Sequence, residues 1–177
     1  MMSDLYNQIV NDRGSVKGLL ARIPGFRGYI DKGDRRTADR MLRDHVAGEI
    51  NKRINRLSAL EKSLVENGGL LYMSKTKSAK TKLQTYHGRL LAATPGYSGF
   101  FAAVKVEEDD MARLYAFDEA QIRYADKFDE VLAELESAIN SNTGIDEAIA
   151  ALDALTIEAN EAFSLRESVL TQLDKSL

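Results

Sequence analysis

The chain has 177 residues, 44% of them hydrophobic and 29% charged, with 24 Lys and Arg against 27 Asp and Glu. That length and apolar content fit one domain with its own core and exclude a disordered chain. The absence of Cys excludes disulfide scaffolds, thiolate metal sites, iron–sulfur clusters and cysteine nucleophiles, and two His leave little for metal or acid–base work.

The longest apolar run without Gly, Phe100 to Val104, is far short of a membrane span. Met1 to Val10 lacks the basic start and apolar stretch of a secretory signal, so a cytoplasmic location is expected. Charge is unevenly divided. Residues 1–90 hold 18 Lys and Arg against 9 Asp and Glu, a net +9, and residues 91–177 hold 6 against 18, a net −12. Either the basic half meets an anionic partner, or the two halves fold against each other and neutralise one another's field. The second reading is favoured.

The elements follow in chain order. Asp4 to Asn11 forms a short helix through Leu5 and Ile9. Pro24-Gly25-Phe26-Arg27-Gly28-Tyr29 is a compact turn bearing two rings, because Pro fixes φ and Gly permits a positive one. A first long helix starts near Asp31 or Asp34, with a stripe Ala38, Leu42, Val46, Ile50, Ile54, Leu57, Leu60, Leu64 in steps of three and four. Asn67-Gly68-Gly69 ends it. A second helix, Leu70 to Ala93, carries Tyr72, Thr76, Ala79, Leu83, Tyr86, Leu90 and Ala93 as its seam, with Lys75, Lys77, Lys80 and Lys82 forming a basic outer surface.

The first turn phrase recurs as Pro95-Gly96-Tyr97-Ser98-Gly99-Phe100, 71 residues later, and marks two related halves, each a turn followed by a helical hairpin. A third helix, Glu107 to Asn140, opens on four carboxylates that suit a helix N-terminus, and its seam runs Met111, Leu114, Asp118, Gln121, Ala125, Phe128, Leu132, Leu135, Ile139. Ser141-Asn142-Thr143-Gly144 turns the chain, with Thr143 and Asp146 at capping-box spacing. The last helix, Ile145 to Asp174, presents Ile145, Ala148, Leu152, Leu155, Ala159, Ala162, Arg166, Val169 and Leu173. No stretch alternates as a strand does.

The expected fold is therefore all-α: an antiparallel up-down-up-down bundle of four long helices with a short N-terminal helical segment, one domain over 1–177. Its parts are an N-terminal segment and turn (1–30), a first hairpin (31–93), an aromatic turn (94–106) and a second hairpin (107–175). This topology gathers Phe26, Tyr29, Tyr97, Phe100 and Phe101 at one pole, the leading candidate contact surface; the alternative is that these rings plug the end of the core. Arg27, Arg35, Arg36, Arg40 and Arg43 form a candidate basic face for phosphates, although interleaved Asp31, Asp34, Asp39 and Asp44 read more simply as a solvated helix face.

Asp118 and Arg166 each lie 24 residues from Asn142, so a hairpin turning there makes them face each other as a buried ion pair that sets register. With Gln121 they are the one seed for an enzyme reading. His45 and His87 lack the Glu three residues earlier that a di-iron bundle needs, since Leu42 and Gln84 stand there. Gly25-Phe26-Arg27-Gly28 matches the GxxG clamp of KH domains, but those require a sheet. No nucleotide loop, nucleophile elbow or zinc-protease motif is present in the sequence. No cofactor is expected.

The segments IPGFRGYIDKGDRRTADRMLR (residues 23–43) and GYSGFFAAVKVEEDDMARLYAF (residues 96–117) resemble an uncharacterised family of small helical bacterial proteins. That family carries IPGF/Y-x-GY before an RR-x-AD-x-LR helix, and GY-x-GFF-x-AVKV-x-EED before an L-Y-x-F/Y-D helix. The likeness covers most of the chain from residue 18 on. Ala102-Ala103 departs from it, since the family favours Asp after the two Phe. The resemblance supports the turn-plus-helix organisation and implies no activity, cofactor or catalytic residue. The expected function is a non-catalytic protein–protein interaction or scaffold module, self-associating or binding a protein partner; the alternatives are anionic-surface binding to nucleic acid or lipid headgroups through the basic half, and an enzyme with a polar site inside the bundle.

Overall fold

The computed structural model describes residues 22–26, 35–93 and 108–175. Four helices carry the fold: α1 (Arg35–Glu66), α2 (Met73–Ala92), α3 (Glu108–Ser141) and α4 (Ile145–Lys175), with a single 3-10 turn at Leu70–Tyr72. That turn is split from the helix expected over residues 70–93. The short helix expected over residues 4–11 and the aromatic turn over 94–106 lie outside the described residues.

The turns explain the hairpins. At the end of α1, Gly69 N–H donates to Leu64 O at 2.7 Å and Gly68 N–H to Val65 O at 3.1 Å, with Gly68 at φ +80°. This is a Schellman closure, which the Asn-Gly-Gly sequence allows because the left-handed position carries no Cβ. The α3 end repeats the pattern with Asn142 at φ +51°, donating to Ile139 O, while Thr143 N–H reaches Ala138 O. No capping box forms there. The Thr143 hydroxyl donates to Ser141 O at 3.2 Å, Gly144 O accepts the first α4 bond from Ala148, and Asp146 is paired with Lys75.

The core takes the seams the periodicity marks. Leu42, Val46, Ile50, Ile54, Leu57, Leu60 and Leu64 on α1 are buried, as are Ala79, Leu83, Tyr86 and Leu90 on α2. Ala125, Phe128, Leu132, Leu135 and Ile139 face them from α3, and Leu152, Leu155, Ala159, Ala162 and Phe163 from α4. Tyr86 sits at the centre, its ring 6.3 Å edge-on to Phe163 and 6.4 Å from Phe128.

The bundle runs up-down-up-down, and its packing order is specific. α1 packs on α2 and on α3, and α4 packs on α3 and on α2. Cross-hairpin bonds advance in the same direction on both partners: Arg53 to Ala125 O, then Arg56 to Asp129 and Glu136; Lys75 to Asp146, Lys82 to Asp153 and Arg89 to Asn160. The like-directed helices α1 and α3, and α2 and α4, are thus side by side and parallel. Antiparallel contacts occur within each hairpin, and the two hairpins turn their apolar stripes toward a single core between them.

Candidate functional site

The α2–α4 seam has a heptad rhythm. Lys75, Lys82 and Arg89 on α2 meet Asp146, Asp153 and Asn160 on α4, each 71 residues on, the interval that also separates the two Pro-Gly phrases. Lys75 Nζ lies 2.5 Å from Asp146 Oδ1, and Lys82 Nζ lies 2.6 and 2.7 Å from the two Asp153 oxygens. Arg89 donates to Asn160 O at 2.9 Å, to Ser164 Oγ at 2.8 Å and to Glu167 Oε2 at 2.8 Å, with its guanidinium carbon 4.9 Å above the Phe163 ring. Asn160 returns a bond to Lys82 O at 3.2 Å.

On the α1–α3 seam, Arg56 reaches Asp129 at 2.8 Å and Glu136 at 2.7 Å. Arg53 Nε lies 3.9 Å from Asp129, and Arg22 pairs with Asp126. In each pair the cation comes from the basic half and the carboxylate from the acidic half. Among the described residues, the charge asymmetry is therefore answered in part inside the molecule. Bonds to Glu136 and Asp146 raise the Arg56 and Lys75 pKa values respectively, while the bond to Lys52 lowers that of Glu49. The basic outer surface expected of α2 is accordingly reduced: Lys75 and Lys82 turn to α4, Lys80 pairs with Glu61 on α1, and Lys77 stays exposed.

Inside the bundle, Arg166 Nε donates to Asp118 Oδ1 at 3.0 Å, with the two residues 2% and 3% exposed. The structure thus brings together the pair that hairpin geometry pointed to. Next to it along α3, Gln121 accepts from the Tyr86 hydroxyl and donates to Phe117 O at 3.4 Å. Tyr124 OH donates to Glu158 at 2.9 Å. Burial pushes the Tyr86 phenol far above its ordinary pKa. Asp118, Gln121 and Arg166 are sealed from solvent, so a solute would have to displace the core to reach them.

The other candidates fare differently. Phe26 is 2% exposed and packs in the core with Ile23, held by a Pro24-Gly25 turn in which Phe26 N–H bonds to Ile23 O and Gly25 has φ +79°. It is a plug and not a contact residue; Tyr29, Tyr97, Phe100 and Phe101 lie outside the described residues. The basic face is not continuous either. Arg40 is exposed with Asp44 3.8 Å away, while Arg43 is buried and donates to Ala93 O at 2.7 Å, capping the α2 end. Arg27 lies outside the described residues, as do the side chains of Arg35 and Arg36.

Sequence reasoning missed three surface features. A cavity of about 480 Å³ lies beside α3, and its charges close on each other as Arg22–Asp126, Arg123–Glu119 and Lys127–Glu130. Glu119 Oε2, at its wall, is a buried acceptor without a hydrogen-bond partner. A shallower groove of about 280 Å³ runs along α2 and α4 past Ile157. At the turn pole, Leu70 and Leu71 are 67% and 88% exposed, and Val65 and Leu91 on the same hairpin are also exposed. The run Leu70-Leu71 immediately after Gly69, outside any stripe, was the available signal.

Among the described residues no group of three His, Asp or Glu could hold a metal ion, and no helix is long and apolar enough to cross a membrane. No family model, curated protein or solved structure matches the chain.

Proposed function

We propose that the chain is a non-catalytic protein–protein interaction or scaffold module. The observation that carries this reading is the division of labour on the first hairpin. Arg53, Arg56, Lys75, Lys82 and Arg89 are turned toward the second hairpin, whereas Val65, Leu70, Leu71 and Leu91 are held outward on regular helix and a bonded turn. Apolar side chains held in water on a rigid frame favour association with another apolar surface.

The same division weighs against anionic-surface binding through the basic half, because Arg53, Arg56, Lys75, Lys82 and Arg89 already face carboxylates. The test is crosslinking of the purified chain and of the chain in a cell extract, read by mass. Adducts heavier than one chain are expected in at least one setting. Recovery of the uncombined chain in both, with crosslinker demonstrably reacted, counts against the reading.

A further inference from the structure

We propose that the bundle opens as a hinge: the hairpins stay packed at the pole that holds their turns and part at the opposite pole, giving water access to Asp118, Gln121 and Arg166 without global unfolding. This device concerns entry to the sealed interior and is independent of the interaction-module reading.

The two poles are built differently. The described hairpin turns, around Gly68 and Asn142, share one pole, where Lys75 bonds to Asp146 just after both. The core from there to the middle of the bundle is packed with large aliphatic groups, Leu57, Leu64 and Leu83 meeting Leu132, Leu135 and Leu152. Toward the other pole the interior changes character. Beyond Leu155 the described buried residues of α4 are Thr156, Ala159, Ala162, Phe163 and Arg166, of which Phe163 alone is large and apolar. Facing them, α3 buries Asp118 and Gln121 among its apolar groups. Less apolar area is withdrawn from water per turn of α4 at this pole, so less free energy opposes separation.

The polar groups lower the cost further. The Asp118–Arg166 and Tyr124–Glu158 bonds both join α3 to α4 and so lie within the second hairpin. Parting the hairpins leaves these bonds made and returns water to them, which recovers part of the desolvation cost of burying the ion pair. Glu119 Oε2, the buried acceptor without a hydrogen-bond partner, gains one from water in the same movement. Against this, opening gives up the Tyr86–Gln121 bond, the Arg22–Asp126 pair and the Arg89 bonds to Asn160 and Ser164. Apart from the first, these lie at partly or fully exposed positions, where water replaces them at small cost. A local opening with a free energy below that of global unfolding is the result.

The experiment is native-state amide exchange of the full chain, read by NMR at rising urea concentrations below the unfolding transition. Amides of residues 117–125 and 159–166 should exchange as a group, about tenfold or more faster than those of 132–139 and 149–155, and with weaker urea dependence because less surface is exposed. Leu135→Ala should speed exchange at the turn pole alone, since Leu135 stays packed in the open state. Arg166→Met, which strands Asp118 in the closed state, should speed both groups. The chain has no Cys, so thiols placed at Ala162 and Ala79, 2% and 0% exposed, give a second readout: Ala162→Cys should react with a thiol reagent about tenfold or more faster than Ala79→Cys. A single exchange class with one urea dependence overturns the proposal, as does Leu135→Ala speeding both groups alike. Should Leu135→Ala fail to fold, equal reaction of the two thiols overturns it on its own.

Discussion

The buried Asp118–Arg166 pair lets the packing argument be put to a quantitative test. Each charge is withdrawn from water, 3% and 2% exposed, with Nε and Oδ1 3.0 Å apart. Replacing Asp118 with Asn keeps the shape and strands the guanidinium, which should lower stability by about 3–5 kcal/mol, or about 6–20 °C in melting temperature for a chain of this size. Arg166→Met should lower stability by a similar amount at pH 7. The double variant should be far less destabilised than the sum, because neither stranded charge remains; a coupling of about 2 kcal/mol or more is expected. The single variants also diverge with pH. In Arg166→Met the buried Asp118 carboxyl loses the guanidinium beside it, so burial raises its folded pKa relative to the wild type, and the variant's stability declines more steeply as pH rises from the ordinary carboxyl value near 3.9. That variant should be more stable at pH 4 relative to pH 7 than Asp118→Asn is. Denaturant unfolding followed by circular dichroism measures all of this, and additive single effects would refute the reasoning.

Other outcomes follow from the same geometry. Lys82→Glu and Asp153→Lys should each reduce stability by about 1–2 kcal/mol, and the exchanged pair should recover most of it; wild-type stability should also fall between 0.1 and 1 M salt. Tyr86→Phe leaves the Gln121 acceptor buried and unpaired, a loss of about 1–3 kcal/mol in equilibrium unfolding. Because burial raises the Tyr86 pKa in the folded state, the phenol's contribution is complete below its ordinary value of 10.0 and declines as pH rises beyond it, so the Phe variant should lose less stability than wild type in alkali. Gly48→Ala, with open space around the new methyl, should raise stability by about 0.5–1 kcal/mol; Gly69→Ala should lower it, since the Cβ would come within 2.9 Å of Leu64 O.

Four helices, their seams and the Asp118–Arg166 pair were legible because hydrophobic period and hairpin length both act locally. Leu83 and Phe128 must be inside whatever their partner is, and Arg166 follows from counting residues about Asn142. Partnership between hairpins is a different matter. Periodicity states which side of α2 is apolar but not whether α3 or α4 covers it, so Lys75 and Lys82 read as an outer surface although they flank a seam. Their seven-residue spacing, matched by Asp146 and Asp153 at an interval of 71, held the information, and the Pro-Gly phrases already displayed that interval. In the sequence Phe26 stands between contact and plug for a related reason: nothing local to the turn says that it folds back onto α1, where Gly25 comes within reach of Met41.

Side-by-side parallel helices with a common interval tie the lengths of the two hairpins together. One residue inserted within α2 would rotate everything after it by about 100° and lift Lys82 and Arg89 out of reach of Asp153 and Asn160. Lengthening would be harmless only in blocks of seven, and only if α4 grew by the same block at the same level. Sequences descended from this one are therefore expected to vary freely at the turns and to change helix length, if at all, in both halves at once.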